Sequence, residues 1–317
     1  MTLAERRMAI FENEFSWSFS RHSLFQECSR AYFFSYYGSW GGWQRSADPE
    51  KRELYIQKKL TSRAMWTGTL VHDAAEIAVR QLKSGAVCDL GDLAKKALIR
   101  ARREVAESER EANRRSPSKF TGFREHYYND EISQDEWNAT LTEIERQIVG
   151  LSECPSYKRI EALCLNEGTP EKVVEIEELV KILIDGVPVW VRLDALLMGR
   201  NDEYVVLDWK TGKAHVDDVI AAQLGVYGLY CVLHHGARED RIVAMHANLR
   251  TNSQAKHTIN AETMVETRRL IRDSAERMLS VLRDRDKNIA DIEDFPPLPE
   301  GSSRCTWCSF RRTCDRE

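Results

Sequence analysis

The stretch from Val173 to Lys210 constrains the fold more than any other part of the chain. It reads VVEIEELVKILI, Asp-Gly, VPVWVRLDALLM, GRND, EYVVLDWK. β-Branched and apolar residues recur there with a period near two, the signature of strands rather than helix. Asp185-Gly186 between two such runs is a strong hairpin signal, because a two-residue hairpin turn needs positive φ that Gly and Asp tolerate. The segment therefore predicts three antiparallel strands joined by two tight turns.

Side chains alternate across a strand, so Asp208 and Lys210 face the same side. Asp194 lies on the preceding strand. A three-residue loop at 200–202 sets Asp194 directly opposite Asp208, whereas a two- or four-residue loop separates them onto opposite faces unless a bulge intervenes. The chemistry thus predicts an odd loop or a bulge. Two carboxylates and a lysine are poor core material, since burying them unpaired is expensive. A hard cation, Mg²⁺ or Mn²⁺, would use them, because such ions prefer oxygen ligands. Taken alone, the pattern equally describes a surface hairpin with a salt bridge. His72, in WTGTLVHDAAEI, is a further candidate ligand, on a helix that Gly68 and Thr69 can start and that sets Glu76 on the same face. An imidazole beside the carboxylates tilts the preference toward Mn²⁺, though a lone histidine is often structural. Gln223 and Tyr227, one turn apart in QLGVY, can orient a phosphate or base, or cap the sheet.

The rest of the chain is mostly helical. Ser20 is a candidate cap for a helix from Arg21 toward Tyr36, broken by GSWGGW. Further helices are expected after Gly68-Thr69 and over 89–115, 130–149, 217–234 and 261–285, with a strand at 241–249. The expected architecture is α/β: a mixed sheet flanked by helices. It is organised as one domain over 1–317, with an N-terminal helix at 14–40, a helical insertion at 85–170, a core sheet at 173–250 and a cysteine tail at 300–317. A composition of 42% hydrophobic and 30% charged residues fits a soluble globular chain. No apolar run reaches membrane-spanning length, and the start lacks a signal peptide's hydrophobic segment, so a cytoplasmic protein is expected. The net charge of −4 argues weakly against a nucleic-acid partner. What matters is where charge lies, and residues 95–119 hold nine basic and four acidic residues on a predicted helix. That helix could steer a phosphate backbone, or be a solvated face laced with ion pairs. The aromatic set from Tyr32 to Trp43 could stack on unpaired bases or pack a core.

Near the end, RCTWCSFRRTC presents Cys305, Cys308 and Cys314. A tetrahedral thiolate site or an iron–sulfur cluster generally takes four ligands, so a fourth is wanted from elsewhere. An intracellular setting disfavours disulfides, and Cys88, Cys154, Cys164 and Cys231 read as small hydrophobic residues.

Taken in order, GTLVH at 68–72, RLD at 192–194, LDWK at 207–210, QLGVY at 223–227, and Cys28 with the cysteine tail resemble the PD-(D/E)XK nuclease superfamily. The likeness is to its branch of RecB-like and CRISPR-associated nucleases with a four-cysteine iron–sulfur cluster. It runs from the N-terminal helix to the C-terminus and is loose over 85–170. The resemblance implies a restriction-endonuclease-like fold that hydrolyses DNA, commonly at single-stranded ends, with Mg²⁺ or Mn²⁺. It implies that His72, Asp194 and Asp208 bind the metal, that Lys210 is the catalytic lysine, and that Gln223 and Tyr227 form the trailing motif. It also implies that Cys28, Cys305, Cys308 and Cys314 hold a [4Fe–4S] cluster. Zinc on the same four cysteines is the alternative that spacing leaves open. Val191 stands where the family often has glycine. The competing functional readings are a non-catalytic DNA-end-binding or assembly component, and a trimming nuclease active only with partner proteins.

Overall fold

The computed structural model describes residues 12–165, 171–212 and 217–316; the first eleven residues, which bear on the expected compartment, lie outside that part. It forms two compact units, one of Met1–Lys58 with Arg272–Glu317 and the other of Lys59–Ile271. Among the described residues, no helix is long and apolar enough to cross a membrane.

The larger unit is built on a mixed sheet. A small parallel pair, β1 (Leu60–Thr61) and β2 (Gly122–Phe123), is followed by β3 (Lys172–Ile176), β4 (Leu179–Ile184), β5 (Val187–Arg192), β6 (Ala195–Met198), β7 (Tyr204–Lys210), β8 (Ile242–Asn248) and β9 (Ser253–Thr258). The main sheet has the order β3-β6-β7-β8-β9, antiparallel except for the β7–β8 pair. Parallel neighbours need a crossover, and the helix Asp217–His235 supplies it. The fold is a mixed α/β sheet flanked by helices, as the sequence implies.

The three expected strands are in fact four segments of a bent hairpin followed by β7. Asp185 and Gly186 both have positive φ, at 50° and 83°, and close the β4–β5 pair as expected. That pair forms its own two-stranded sheet, and the hairpin enters the main sheet only as β3 and β6. The break comes at Glu177, whose φ is 51°, and at Leu193–Asp194. The Glu177 N–H bonds to the carbonyls of Leu193 and Asp194 across the bend, so the two strands turn together. β9 is a strand the sequence reading lacks; its polar, mostly exposed residues SQAKHT carry no apolar alternation to announce it.

Helices cover the sheet. Arg63–Lys83, capped by Ser62, begins before Gly68, where the sequence reading put its start. Glycine at 68 instead answers a close approach: a Cβ there would lie 2.9 Å from Thr211 Oγ1. The helix buries Trp66, Leu70, Val71, Ala74 and Ala78 on one face against the core. Leu90–Glu109 and Gln134–Val149 follow, the latter started by a capping box of Ser133 and Glu136.

The smaller unit opens with helix Phe19–Glu27, capped by Ser18 rather than Ser20. The expected continuous helix to Tyr36 is interrupted at Cys28, which is extended, and restarts as Ser29–Phe33 and a wider turn at Phe34–Gly38. Tyr32 is fully buried, with Phe25 edge-on at 5.2 Å and Phe295 stacked at 6.3 Å. Tyr32 and Phe34 are thus core residues, while Trp43 is exposed. The expected helix over 261–285 ends at Ser280. Its last turns belong to this unit, where Ser274 Oγ accepts from Trp17 Nε1 at 3.0 Å.

Candidate active site

β7 positions the central residues by alternation. Trp209 points into the core and donates from Nε1 to Ser156 Oγ at 3.0 Å, so Asp208 and Lys210 emerge on the opposite face. The β6–β7 register pairs Ala195 with Leu207 and Met198 with Tyr204, leaving a three-residue turn at Arg200–Asp202. Extending that register by one step sets Asp194 opposite Asp208, as the odd-loop argument requires. The Asp194 carboxylate also accepts the Trp209 backbone N–H, which fixes it beside β7.

Asp208 is buried, and Lys210 Nζ lies 2.9 Å from both of its oxygens. The same ammonium donates to Gln223 Oε1 at 3.3 Å, Gln223 Nε2 donates to Tyr227 Oη at 2.6 Å, and Tyr227 donates to Asp208 Oδ1 at 3.4 Å. Asp208, Lys210, Gln223 and Tyr227 thus close a hydrogen-bonded ring in which the helix residues hold the lysine. Gly225, between them, lets that helix approach its neighbour, since a Cβ there would meet Thr267 Oγ1 at 1.9 Å.

His72 reaches the site from its helix, with Nδ1 3.4 Å from Asp194 Oδ1 and 3.6 Å from Glu177 Oε1. His72, Glu177 and Asp194 each offer a ligand atom within 4.8 Å of the others, a set that could hold a metal ion. Glu76, sharing the His72 face, pairs with Arg80 at 2.8 Å instead, and Arg80 donates to the Ile176 carbonyl of β3. The electrostatics are strained without a cation. Burial and the Asp194 charge push Asp208 up to about 6 despite Lys210. Burial would also raise Asp194, but His72 and the Trp209 N–H hold it below the usual carboxylate range. Burial alone would lower His72, yet the Asp194 and Glu177 carboxylates outweigh it and raise the imidazole to about 10. Two buried carboxylates that disturb each other, with an imidazole beside them, fit a divalent cation's donor set.

The structure brings together all six residues singled out here, His72, Asp194, Asp208, Lys210, Gln223 and Tyr227. It adds two. Glu177 is Asp194's cross-strand neighbour at the hairpin bend: the β4–β5 register, with Ile184 paired to Val187 and Leu179 to Arg192, carries on to set 177 opposite 194. Counting outward from the Asp-Gly turn would have found it. His246, whose Nε2 is 3.9 Å from Asp208 Oδ2, sits beside Asp208 in the parallel β7–β8 register. No local signal reveals that pairing, because the crossover helix intervenes. The basic helix is partly paired with neighbours: Arg100 with Asp73 at 2.6 Å and Glu104 at 2.7 Å, and Lys96 with Asp92 at 2.7 Å.

In the smaller unit, Cys28, Cys305, Cys308 and Cys314 line one open pocket, packed by Phe34 and Phe310. No disulfide joins any of the four. The C-terminal segment is laid along the N-terminal helices by Arg304–Glu27 at 2.7 Å and by Ser29 Oγ donating to the Pro296 carbonyl at 3.0 Å. Two sulfurs already accept backbone N–H groups, Cys28 from Ala31 and Cys308 from Phe310, both at 3.4 Å. Burial first, with neighbouring cysteines adding, pushes the Cys308 and Cys314 thiols up. Cys88, Cys154, Cys164 and Cys231 lie elsewhere, Cys154 and Cys231 buried in the larger unit as small apolar residues.

The family model of the PD-(D/E)XK nuclease superfamily matches residues 16–315, and the chain belongs to that superfamily. No curated protein matches it. Among solved structures, one titled "Crystal structure of SSO0001" is similar over 80% of this chain and 98% of that one, at 16% identity and a TM-score of 0.30. So loose a superposition has no bearing on the site.

Proposed function

We propose that the protein is a Mg²⁺- or Mn²⁺-dependent deoxyribonuclease that hydrolyses phosphodiester bonds from single-stranded DNA ends. The observation that carries this reading is the ring of Asp208, Lys210, Gln223 and Tyr227 facing Asp194, His72 and Glu177. Asp194, Asp208 and His72 bind the divalent cation, with Glu177 completing the set. The cation supplies polarisation of a phosphate oxygen and a lowered pKa for water. Lys210, held between Asp208 and Gln223, orients the attacking water and offsets negative charge developing on the phosphate. Tyr227 and Gln223 set the lysine's position rather than touching the reacting atoms. Hydrolysis at single-stranded ends rests on the resemblance given above.

The four cysteines fit a sulfur-bound cofactor on their own evidence. They converge on one pocket, are unbridged, and two receive the N–H···S bonds that favour thiolate sulfur. We assign them a [4Fe–4S] cluster with a structural role, closing the two ends of the sequence into one unit. Iron and acid-labile sulfide in anaerobically purified protein would support this; stoichiometric zinc without sulfide would replace it with a zinc site.

The activity is tested on end-labelled single-stranded, duplex and circular DNA, with Mn²⁺, Mg²⁺ or EDTA. Metal-dependent cutting of linear single strands, spared circles, and loss in Asp208→Ala and Lys210→Ala are expected. Cutting of circles would make it an endonuclease. Binding without cutting by the loaded protein would favour the DNA-end-binding reading, and cutting restored by added partner proteins would favour the trimming nuclease.

A further inference from the structure

The larger unit holds a second set of metal-capable side chains at the opposite end of the Asp217–His235 helix from Gln223. Glu175 comes from β3, and His234 and His235 close the helix. One donor atom from each lies within 4.8 Å of the other two. Glu175 is buried, and the Tyr230 hydroxyl donates to its two oxygens at 2.7 and 2.8 Å. That hydroxyl orients the carboxylate as an outer partner orients a metal ligand. His234 is exposed, with its ring stacked on Tyr230 at a centroid distance of 5.0 Å.

A second observation points to a ligand. His235 Nε2 lies 2.8 Å from Glu175 Oε1, yet this buried nitrogen has no hydrogen-bond partner among the described residues. At that distance one cation could take a lone pair from each, while the Tyr230 hydroxyl holds the carboxylate in place.

We propose that Glu175, His234 and His235 form a binding site for one Zn²⁺. Two imidazoles and one carboxylate suit that borderline-soft ion, whereas Mg²⁺ and Ca²⁺ prefer oxygen donors throughout. Three protein ligands leave a fourth position for water. The ion would clasp β3, which leads to Glu177, to the helix that carries Gln223 and Tyr227. It would stabilise the native state by binding it selectively. The site does not depend on the nuclease reading.

The test counts Zn²⁺ by equilibrium dialysis and metal analysis on the full-length chain, with Zn²⁺ as the probe. His72→Ala serves as background to weaken Zn²⁺ binding at the nuclease site, and the cysteine site contributes equally to every sample. Compared with that parent, His234→Ala and His235→Ala are each expected to bind one equivalent fewer. Any zinc that a variant still takes up at this site should be held at least about tenfold more weakly in competition, the smaller effect seen when even an outer partner of a ligand is lost. His234 is exposed, so its variant tests the site without threatening the fold. Unchanged stoichiometry and affinity in His234→Ala would overturn the three-ligand site, even if His235→Ala lost zinc through misfolding. Zinc-dependent thermal stabilisation in the parent, absent in His234→Ala, gives a readout that needs no DNA cleavage.

Discussion

The two functional clusters are assembled in opposite ways. In the larger unit, strand register and one helix bring acid, base and amide together, and each acid is paired while the two carboxylates still disturb each other. Lys210 neutralises Asp208, and His72 neutralises Asp194. In the smaller unit, Cys28 and the C-terminal cysteines come from distant parts of the sequence and share a pocket without bonding to one another. The apolar cluster behind them is small, chiefly Ala31, Phe34, Leu54 and Phe310. A sheet can preorganise charge; a thin two-ended unit depends on whatever its thiols bind.

Breaking that dependence should produce the largest effect. Cys28→Ser or Cys314→Ser is expected to unfold the smaller unit, a loss of more than about 5 kcal/mol for a structural cofactor site. Peptide-resolved hydrogen exchange should show protection lost over residues 12–58 and 272–316 and retained in β3, β6, β7 and β8. Uniform loss across both units would show that the cofactor holds the whole chain.

The carboxylate cluster should respond in the reverse sense. Asp208→Asn is expected to reduce DNA cleavage by about 10³-fold, since one preorganised charge at a reacting centre is worth that order. The metal-free protein should nonetheless be more stable, by on the order of 1 kcal/mol at neutral pH. The raised pKa of Asp208, about 6, means that ionising it in the folded state costs stability. Chemical denaturation at pH 7 beside the cleavage assay checks both halves; a variant that is both inactive and less stable would make Asp208 a structural residue.

A smaller effect separates packing from chemistry on the Gln223 helix. Gly225→Ala places a methyl against Thr267, where 1.9 Å to Oγ1 leaves no room. The cost is expected at about 1–3 kcal/mol, the usual size of overpacking. Thr267→Ala should recover most of it, which a thermal melt of the double variant would show.

Much of this was legible before any coordinates, and the division follows the range of the interactions. Asp194, Asp208 and Lys210 were placed by counting residues around a short turn, because strand alternation is a local rule. Glu177 obeyed the same rule, counted from Asp185-Gly186, but the hairpin's bend lay hidden: Glu and Asp at 177 and 194 do not advertise a break. The interruption at Cys28 was missed for a different reason. Its sulfur accepts the Ala31 N–H and so takes a cap's role that cysteine rarely signals. His246 depends on a pairing made across a helical crossover, which no window of sequence contains, whereas β9 closes a local hairpin on β8 whose polar residues carry no apolar alternation.

The finest contrast lies between two buried carboxylates of the same unit. Glu104 sits below the helix surface with Arg100, Trp66 and Thr121 around it at 2.6 to 3.0 Å. Burial would raise it, but those bonds and the Arg100 charge hold it below the usual carboxylate range. A depressed folded pKa contributes stability that is present above the unfolded value and lost as pH falls through the folded one. Glu104→Gln is therefore expected to cost about 1 kcal/mol at pH 7, with the penalty vanishing as pH drops below about 4. Asp208→Asn should behave oppositely, its gain absent in acid, growing as pH rises from about 4 and complete above about 6. Denaturation midpoints of both variants from pH 3 to 8 would draw two curves of opposite slope. Parallel curves would mean that the surroundings do not distinguish a carboxylate held by its neighbours from one that waits for a cation.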